Sequence, residues 1–436
     1  MALIVLIAGG LAVYRYWPEP EPIANDAVRR PTLAIMVFDN LDQLPDMDFL
    51  STALTRETTD KIGQLYSGRL DVIAHGSVVG YRGSRKSLHQ VGRELEVDYV
   101  VEGGVRKERE NVQLTIRLTR ISDEARLWVE EFNRSLPEVY QVQNQIIEKI
   151  GSSLGLKPNP ADMDALNRIA TFSEPAREAY LRGVDERERA SRNDYRACIA
   201  SFEQAIKADS KYARAYAALA DAELHGRAEA VEKAEKHARQ AIELTSVIPQ
   251  SHVVLAEILY KYRSDDKRAQ EAFDRAIALN QSDANAHLRY AEFLLAKDRI
   301  DEALLEVERM LDLDPFSLDP NLLAGRIFTA AKMYDRAIQQ LEKTITFDRN
   351  SPVIRYYVGQ AYLARSMNDD AIREFQRAVD FGPGVPEYIS ALGEAYAAAH
   401  KYDEARAQLA ALKELAKTKR VAPQLIESLS QRIKSS

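Results

Sequence analysis

Cysteine is nearly missing from these 436 residues. The only one is Cys198, and a single thiol excludes an internal disulfide framework. There is no excess of basic charge either. The 59 Lys and Arg stand against 66 Asp and Glu, a formal net charge of −7, which excludes wholesale nucleic-acid binding by this chain. Histidines are few and scattered, and no HExxH, HxH or Cys/His cluster forms among them, so no metal site is expected. A nucleophile elbow is also lacking. Ser264 and Lys267 share a Ser-x-x-Lys spacing but lie in a turn without the companion motifs of that chemistry. Gly76, Gly80 and Gly83, with Arg82, Arg85 and Lys86, are misspaced for a phosphate-binding loop and read as a solvated connection. Carboxylates alternate with Lys and Arg, as on solvated helix faces. No enzymatic activity and no cofactor are expected.

What is present is a repeat. Ala269, Ala303, Ala337, Ala371 and Ala405 stand 34 residues apart, and four residues beyond each comes a bulky apolar side chain: Phe273, Val307, Leu341, Phe375 and Leu409. Twelve residues before four of these alanines sits a small residue: Ala291, Gly325, Gly359 or Gly393. Leu294, Phe328, Tyr362 and Tyr396 follow three further on. One period holds two helices and two short turns, with the small residues where the helix backbones come closest. Pro315, Pro352 and Pro383 fall at the junctions, where a helix must stop. Upstream the steps lengthen to 36 and 35 residues, through Cys198 and Ala234. Seven helix pairs result, near 176–210, 213–246, 249–281, 284–315, 318–349, 352–383 and 386–415. Val421 to Ile433 forms a last amphipathic helix that would cap the stack.

The order of small, aromatic, Ala, bulky and Pro positions resembles the tetratricopeptide repeat. That resemblance implies a right-handed solenoid whose first helices line a concave groove, and a protein or peptide partner held there. Counting from each small residue, the groove should carry Leu288, Glu292, Leu322, Arg326, Tyr356, Gln360 and Glu394.

Ahead of the repeats the periodicity changes. Leu33 to Phe38 is a strand-length apolar run, Met47 to Tyr66 a helix, Leu70 to Ala74 a second strand and Leu88 to Glu96 a short helix. Val97 to Val105 is a strand interrupted by Gly103 and Gly104. Val112 to Ile121 alternates strictly, Leu127 to Phe132 more loosely, and Val139 to Leu154 is an amphipathic helix. The expected class is an α+β domain with a mixed sheet, followed by an all-α solenoid. The stretches AIMVFDN (34–40), DVIAHGSVVGYRGS (71–84), VGRELEVDYVVEGGVRK (91–107) and VQLTIRLTRISDEARLWVEEF (112–132) resemble the TolB amino-terminal-like domain. Val37 departs from that family, which usually has Pro there. The resemblance implies a non-catalytic domain. It extends to architectures in which both domains follow a membrane helix and a cytoplasmic winged-helix or cyclase domain.

Residues 1–17 are mostly apolar with an aromatic cluster at Tyr14, Tyr16 and Trp17, short of the ~20 residues a spanning helix needs. No Lys or Arg precedes the run, and no small-x-small cleavage site ends it. It is expected to be a membrane anchor that looks cut off, with a signal sequence as the alternative. The expected division is anchor 1–17, linker 18–31, α/β domain 32–156, linker 157–174, seven repeats over 175–416 and cap 417–436. The whole is expected to be a single-pass protein of the bacterial inner membrane with its folded domains in the periplasm. It would be a non-catalytic interaction or sensing module. The alternative is the periplasmic half of a transcriptional regulator or nucleotide cyclase whose output domain lies outside this chain.

Overall fold

The structure, a computed structural model, describes residues 29–434 except 110, 170, 172, 190–194, 227 and 347–348. The expected anchor (1–17) and nearly all of the linker after it lie outside the described residues. Among the described residues no helix is long and apolar enough to cross a membrane.

The first domain has a mixed sheet in the order β3-β1-β4-β5-β6. Its strands are β1 (Thr32–Ile35), β3 (Asp71–Val72), β4 (Tyr99–Glu108), β5 (Asn111–Arg120) and β6 (Arg126–Ser135), with β2 (Asp39–Asn40) paired to β4. β1 runs parallel to β3 and β4, whereas β4, β5 and β6 form an antiparallel meander. Val112, Leu114, Ile116 and Leu118 are buried, as their alternation predicts. Gly103 and Gly104 do not interrupt β4. They make room on it, since a Cβ at Gly103 would lie 2.5 Å from the Phe38 ring and one at Gly104 3.0 Å from Leu41. Helices α1 (Pro45–Leu65), α2 (His75–Val79), α3 (Leu88–Glu94) and α4 (Leu136–Ser153) accompany the sheet. Ser87 and Gln90 form a reciprocal cap at the start of α3.

Residues 157–174, expected as a linker, contain α5 (Pro160–Ile169). Asn159 accepts from the Ala161 amide, Pro160 opens the helix, and Leu166 and Ile169 are buried.

Seven helix pairs follow: α6 (Glu174–Arg189) with α7 (Arg196–Ala208), α8 (Ala213–Gly226) with α9 (Val231–Leu244), α10 (Pro249–Tyr262) with α11 (Asp266–Leu279), α12 (Ala284–Ala296) with α13 (Ile300–Leu313), α14 (Leu318–Ala330) with α15 (Tyr334–Ile345), α16 (Pro352–Ala364) with α17 (Asn368–Phe381), and α18 (Pro386–Ala398) with α19 (Tyr402–Leu415). α20 (Pro423–Lys434) closes the stack, with Leu429 packed on Gly393. The five phased alanines are wholly buried, as are Phe273, Val307, Leu341 and Phe375. A Cβ at Gly325 would sit 2.4 Å from Leu341, and one at Gly359 2.7 Å from Phe375. The turn inside each of the last five repeats places one residue in the left-handed region: Ser264, Asp298, Lys332, Ser366 and His400, again 34 apart. First helices of neighbouring repeats touch one another, which sets them on the inner, tighter side of the stack.

The two domains are joined through shared packing. Leu65, Tyr66, Leu166 and Ile169 form one core with Ala213, Ala217, Ala241 and Ile248 of repeat two. Ala53 and Phe49 of α1 pack with Tyr180 and Phe202 of repeat one.

Candidate functional site

The inner face of the solenoid divides in two. Over repeats one to four it is closed by the first domain, and over repeats five to seven it is open.

The closure begins at the sheet edge. β3 is an edge strand, and its unpaired backbone groups need partners. The turns between repeats supply them. The Val72 amide donates to Ser282 Oγ at 3.2 Å, and the Ala74 amide donates to the Leu313 carbonyl at 2.8 Å. Arg309 forks onto Asp71, with Nη1 to Oδ2 at 2.8 Å, and the side chain of Asp71 is 12% exposed. Ser77 on α2 donates to Asp314 and accepts from the Phe316 amide at 3.0 Å. The region of Gly76, expected as a solvated connection, is therefore partly an interface: a Cβ at Gly76 would strike Ser317 Oγ. Arg309→Ala should strip Asp71 of its fork and cost about 2 kcal/mol, so that the Val72 and Ala74 amides exchange roughly thirtyfold faster. Hydrogen exchange would show this against unchanged rates in α16 to α18. Equal rates at β3 would mean that the fork does not hold the domains.

Beside this seam α1 lies over the inner face of repeats one to four, with Glu57 3.7 Å from Arg214. Between them are two adjoining cavities of about 460 and 410 Å³, both lined by Arg56 and Asp60 of α1 and by Arg187, Asp283 and Arg289 of the solenoid. A buried charge cluster adjoins them, sharing Arg289 with the lining of both and Asp221 with that of the second. His225 Nδ1 is 3.3 Å from Asp221, its Nε2 is 3.6 Å from Glu257, and Arg289 is 3.6 Å from the same Glu257 oxygen. Lys261 also pairs with Glu257, which is 1% exposed. Burial alone would lower the pKa of His225, but the two carboxylates outweigh it and bring it up to about 10. Burial would raise that of Glu257, but His225, Arg289 and Lys261 hold it at about 2.

The predicted groove residues fall unequally on this surface. Leu288 is 8% exposed and lines the larger cavity, facing the first domain. Leu322 is 6% exposed and belongs to the solenoid core. Glu292 pairs with Arg289 at 3.1 Å. Glu394 accepts from Ser428 of the cap at 3.0 Å and lies 3.6 Å from Arg432, so the cap engages it. Arg326, Tyr356 and Gln360 come together. Arg326 is exposed, with its guanidinium 5.9 Å from the centre of the Tyr357 ring. The half-buried Tyr356 ring lies 5.2 Å from those of both Tyr357 and Tyr388, and its hydroxyl accepts from Gln360 Nε2 at 2.7 Å. Burial raises the Tyr356 pKa to about 12, so it is a neutral phenol at ordinary pH. Tyr357 and Tyr388 were not expected in the groove, because phase counting took one position per turn and passed over their neighbours.

Comparison with known proteins agrees with the repeat. A family model described as a tetratricopeptide repeat matches residues 258–317. A Rhizobium meliloti (strain 1021) protein named "Putative adenylate cyclase 3" is 29% identical over 139 residues, 32% of this chain and 23% of that protein. Anaphase-promoting complex subunit 3 of Schizosaccharomyces pombe is 25% identical over 169 residues, 38% of this chain and 24% of that one. The chain thus spans less than a quarter of either relative. Among solved structures, Pseudomonas aeruginosa pilF has 19% identity and a TM-score of 0.42, covering 51% of this chain and 98% of its own. The chain carries tetratricopeptide repeats behind an α+β domain. Repeats of this kind make a protein–protein interaction module. Among the described residues no group of three or more His, Cys, Asp or Glu side chains could hold a metal ion.

Proposed function

We propose that the chain is a non-catalytic interaction and sensing module of the bacterial cell envelope. By this reading its first domain is TolB-amino-terminal-like, and residues 1–17 anchor it at the inner membrane with both domains in the periplasm. The open groove of repeats five to seven binds an extended or helical segment of a partner protein. One observation carries the binding claim: the exposed Arg326 and the partly exposed Tyr356, Tyr357 and Tyr388 gather on the inner helices. Arginine and tyrosine are the residue types that dominate interface energetics.

The double substitution Arg326→Ala with Tyr356→Ala leaves the phased small and bulky positions intact. It should weaken partner capture roughly tenfold to a hundredfold, about 1.4 to 3 kcal/mol, with unchanged helicity. Pull-down from envelope extract beside wild type, with circular dichroism, measures this. Recovery of the same partners in the same amounts would move the binding face elsewhere.

A second reading is favoured by the similarity to the Rhizobium meliloti protein. In it the chain is the extracytoplasmic half of a nucleotide cyclase, or of a transcriptional regulator, whose output domain lies outside the chain. The DNA in frame upstream of Met1 tests it. A cyclase or winged-helix domain there supports it, and a stop codon overturns it.

A further inference from the structure

We propose that the cleft between α1 and the inner face of repeats one to four binds a small zwitterion of the amino-acid class, its carboxylate toward Arg187 and its ammonium toward Asp60. The inference goes beyond the groove of repeats five to seven and does not depend on it.

Both residues line both cavities, from opposite domains. Neither makes an ion pair among the described residues. Arg187 lies over the Tyr195 ring at 4.4 Å. Its Nε is buried without a hydrogen-bond acceptor. Asp60 has no hydrogen bond or ion pair among the described residues. It is exposed into the cleft, and the desolvation imposed by the protein around it raises its pKa against the pull of Arg214 and Arg56. The neighbouring carboxylates are already engaged: Asp221 by His225, Asp283 by the amides of Asn285 and Ala286, Asp314 by Ser77 and Ser317. His75 lines the larger of these cavities and Gln64 the other, and both ring nitrogens of the first and Oε1 of the second are buried without partners. Buried polar groups left unpaired are few in a native fold, and here three side chains with such atoms line the two adjoining cavities.

The charge pattern selects the ligand class. A simple anion would satisfy Arg187 and leave Asp60 alone, and a simple cation would do the reverse. A zwitterion satisfies both. The size agrees, since cavities of a few hundred cubic ångströms suit small ligands. Leu288 and Leu318 give an apolar wall for a side chain. A ligand seated there would bridge the two domains.

The test is thermal melting of the full chain with each standard L-amino acid at millimolar concentration, then calorimetry with those that raise the midpoint. At least one should bind. Asp60→Asn and Arg187→Gln should each weaken it about tenfold or more, and both should keep the fold, because neither residue holds an internal ion pair. Two blocked analogues need only the wild type, so an unfolded variant would not stop the test. The N-acetyl form of the same amino acid, without its ammonium, and its amide, without its carboxylate, should both bind about tenfold or more weaker. The proposal fails if no amino acid binds, or if blocking either group leaves the affinity unchanged. It fails equally if the folded variants bind like wild type.

Discussion

Glu257→Gln will cost about 3 to 5 kcal/mol, the range for removing one partner of a buried ion pair. The glutamine keeps the shape of the side chain but removes the charge against which His225, Arg289 and Lys261 are set. Urea denaturation of both proteins measures the loss, and a cost under about 1 kcal/mol would mean the cluster is solvated. The pH dependence gives a second readout. The folded pKa of His225, about 10, lies above its ordinary 6.5, so its contribution is full below pH 6.5 and disappears as pH rises through 10. Glu257 runs the other way: its folded pKa, about 2, lies below 4.5, so its contribution is full above pH 4.5 and is lost as pH falls toward 2. Wild-type stability should therefore decline between about pH 7 and 10. In Glu257→Gln that decline should be shallower, because the histidine cation keeps only Asp221.

Gly359→Leu will destabilise the solenoid by about 3 kcal/mol or more. The first carbon of any side chain there would already lie 2.7 Å from the Phe375 ring, and Phe375 is wholly buried with no room to retreat. The helices of repeat six must part, and a stack held by nearest-neighbour contacts fails where it is cut. Repeats six and seven should melt first, leaving the first domain with its attached repeats folded. An unchanged urea midpoint would place Gly359 away from a helix contact and make the repeat register wrong.

The solenoid was legible because its packing is periodic. Ala303 is wholly buried and the Leu341 side chain fills the space a Cβ at Gly325 would need, and a repeated geometric demand leaves a repeated residue. The strands were legible through alternation, as in Val112 to Leu118. The turn residues from Ser264 to His400 also recur at this period, but as four different residue types, so composition hid them. α5 was missed because one turn of apolar side chains, Leu166 to Ile169, stands in an otherwise polar stretch. Asn159 and Pro160 were the available signal. The closure of repeats one to four could not be read. It rests on single polar contacts such as Arg309 to Asp71 and Ser77 to Asp314, made by residues that look like ordinary surface positions. That closure also divides the predicted groove, so Leu288 faces the first domain while Arg326 and Tyr356 stay open.

The seam along β3 has a consequence for synthesis. The strand leaves the ribosome long before the residues that cover it, since Ser77 and Asp314 are 237 positions apart. At about 5 to 20 residues per second, the sheet edge waits roughly ten to fifty seconds for its cover. During that interval a nascent chain on a neighbouring ribosome offers the same hydrogen-bonding groups as the missing repeats. The order of the two domains along the gene thus sets how long the newborn protein must be kept from its own copies.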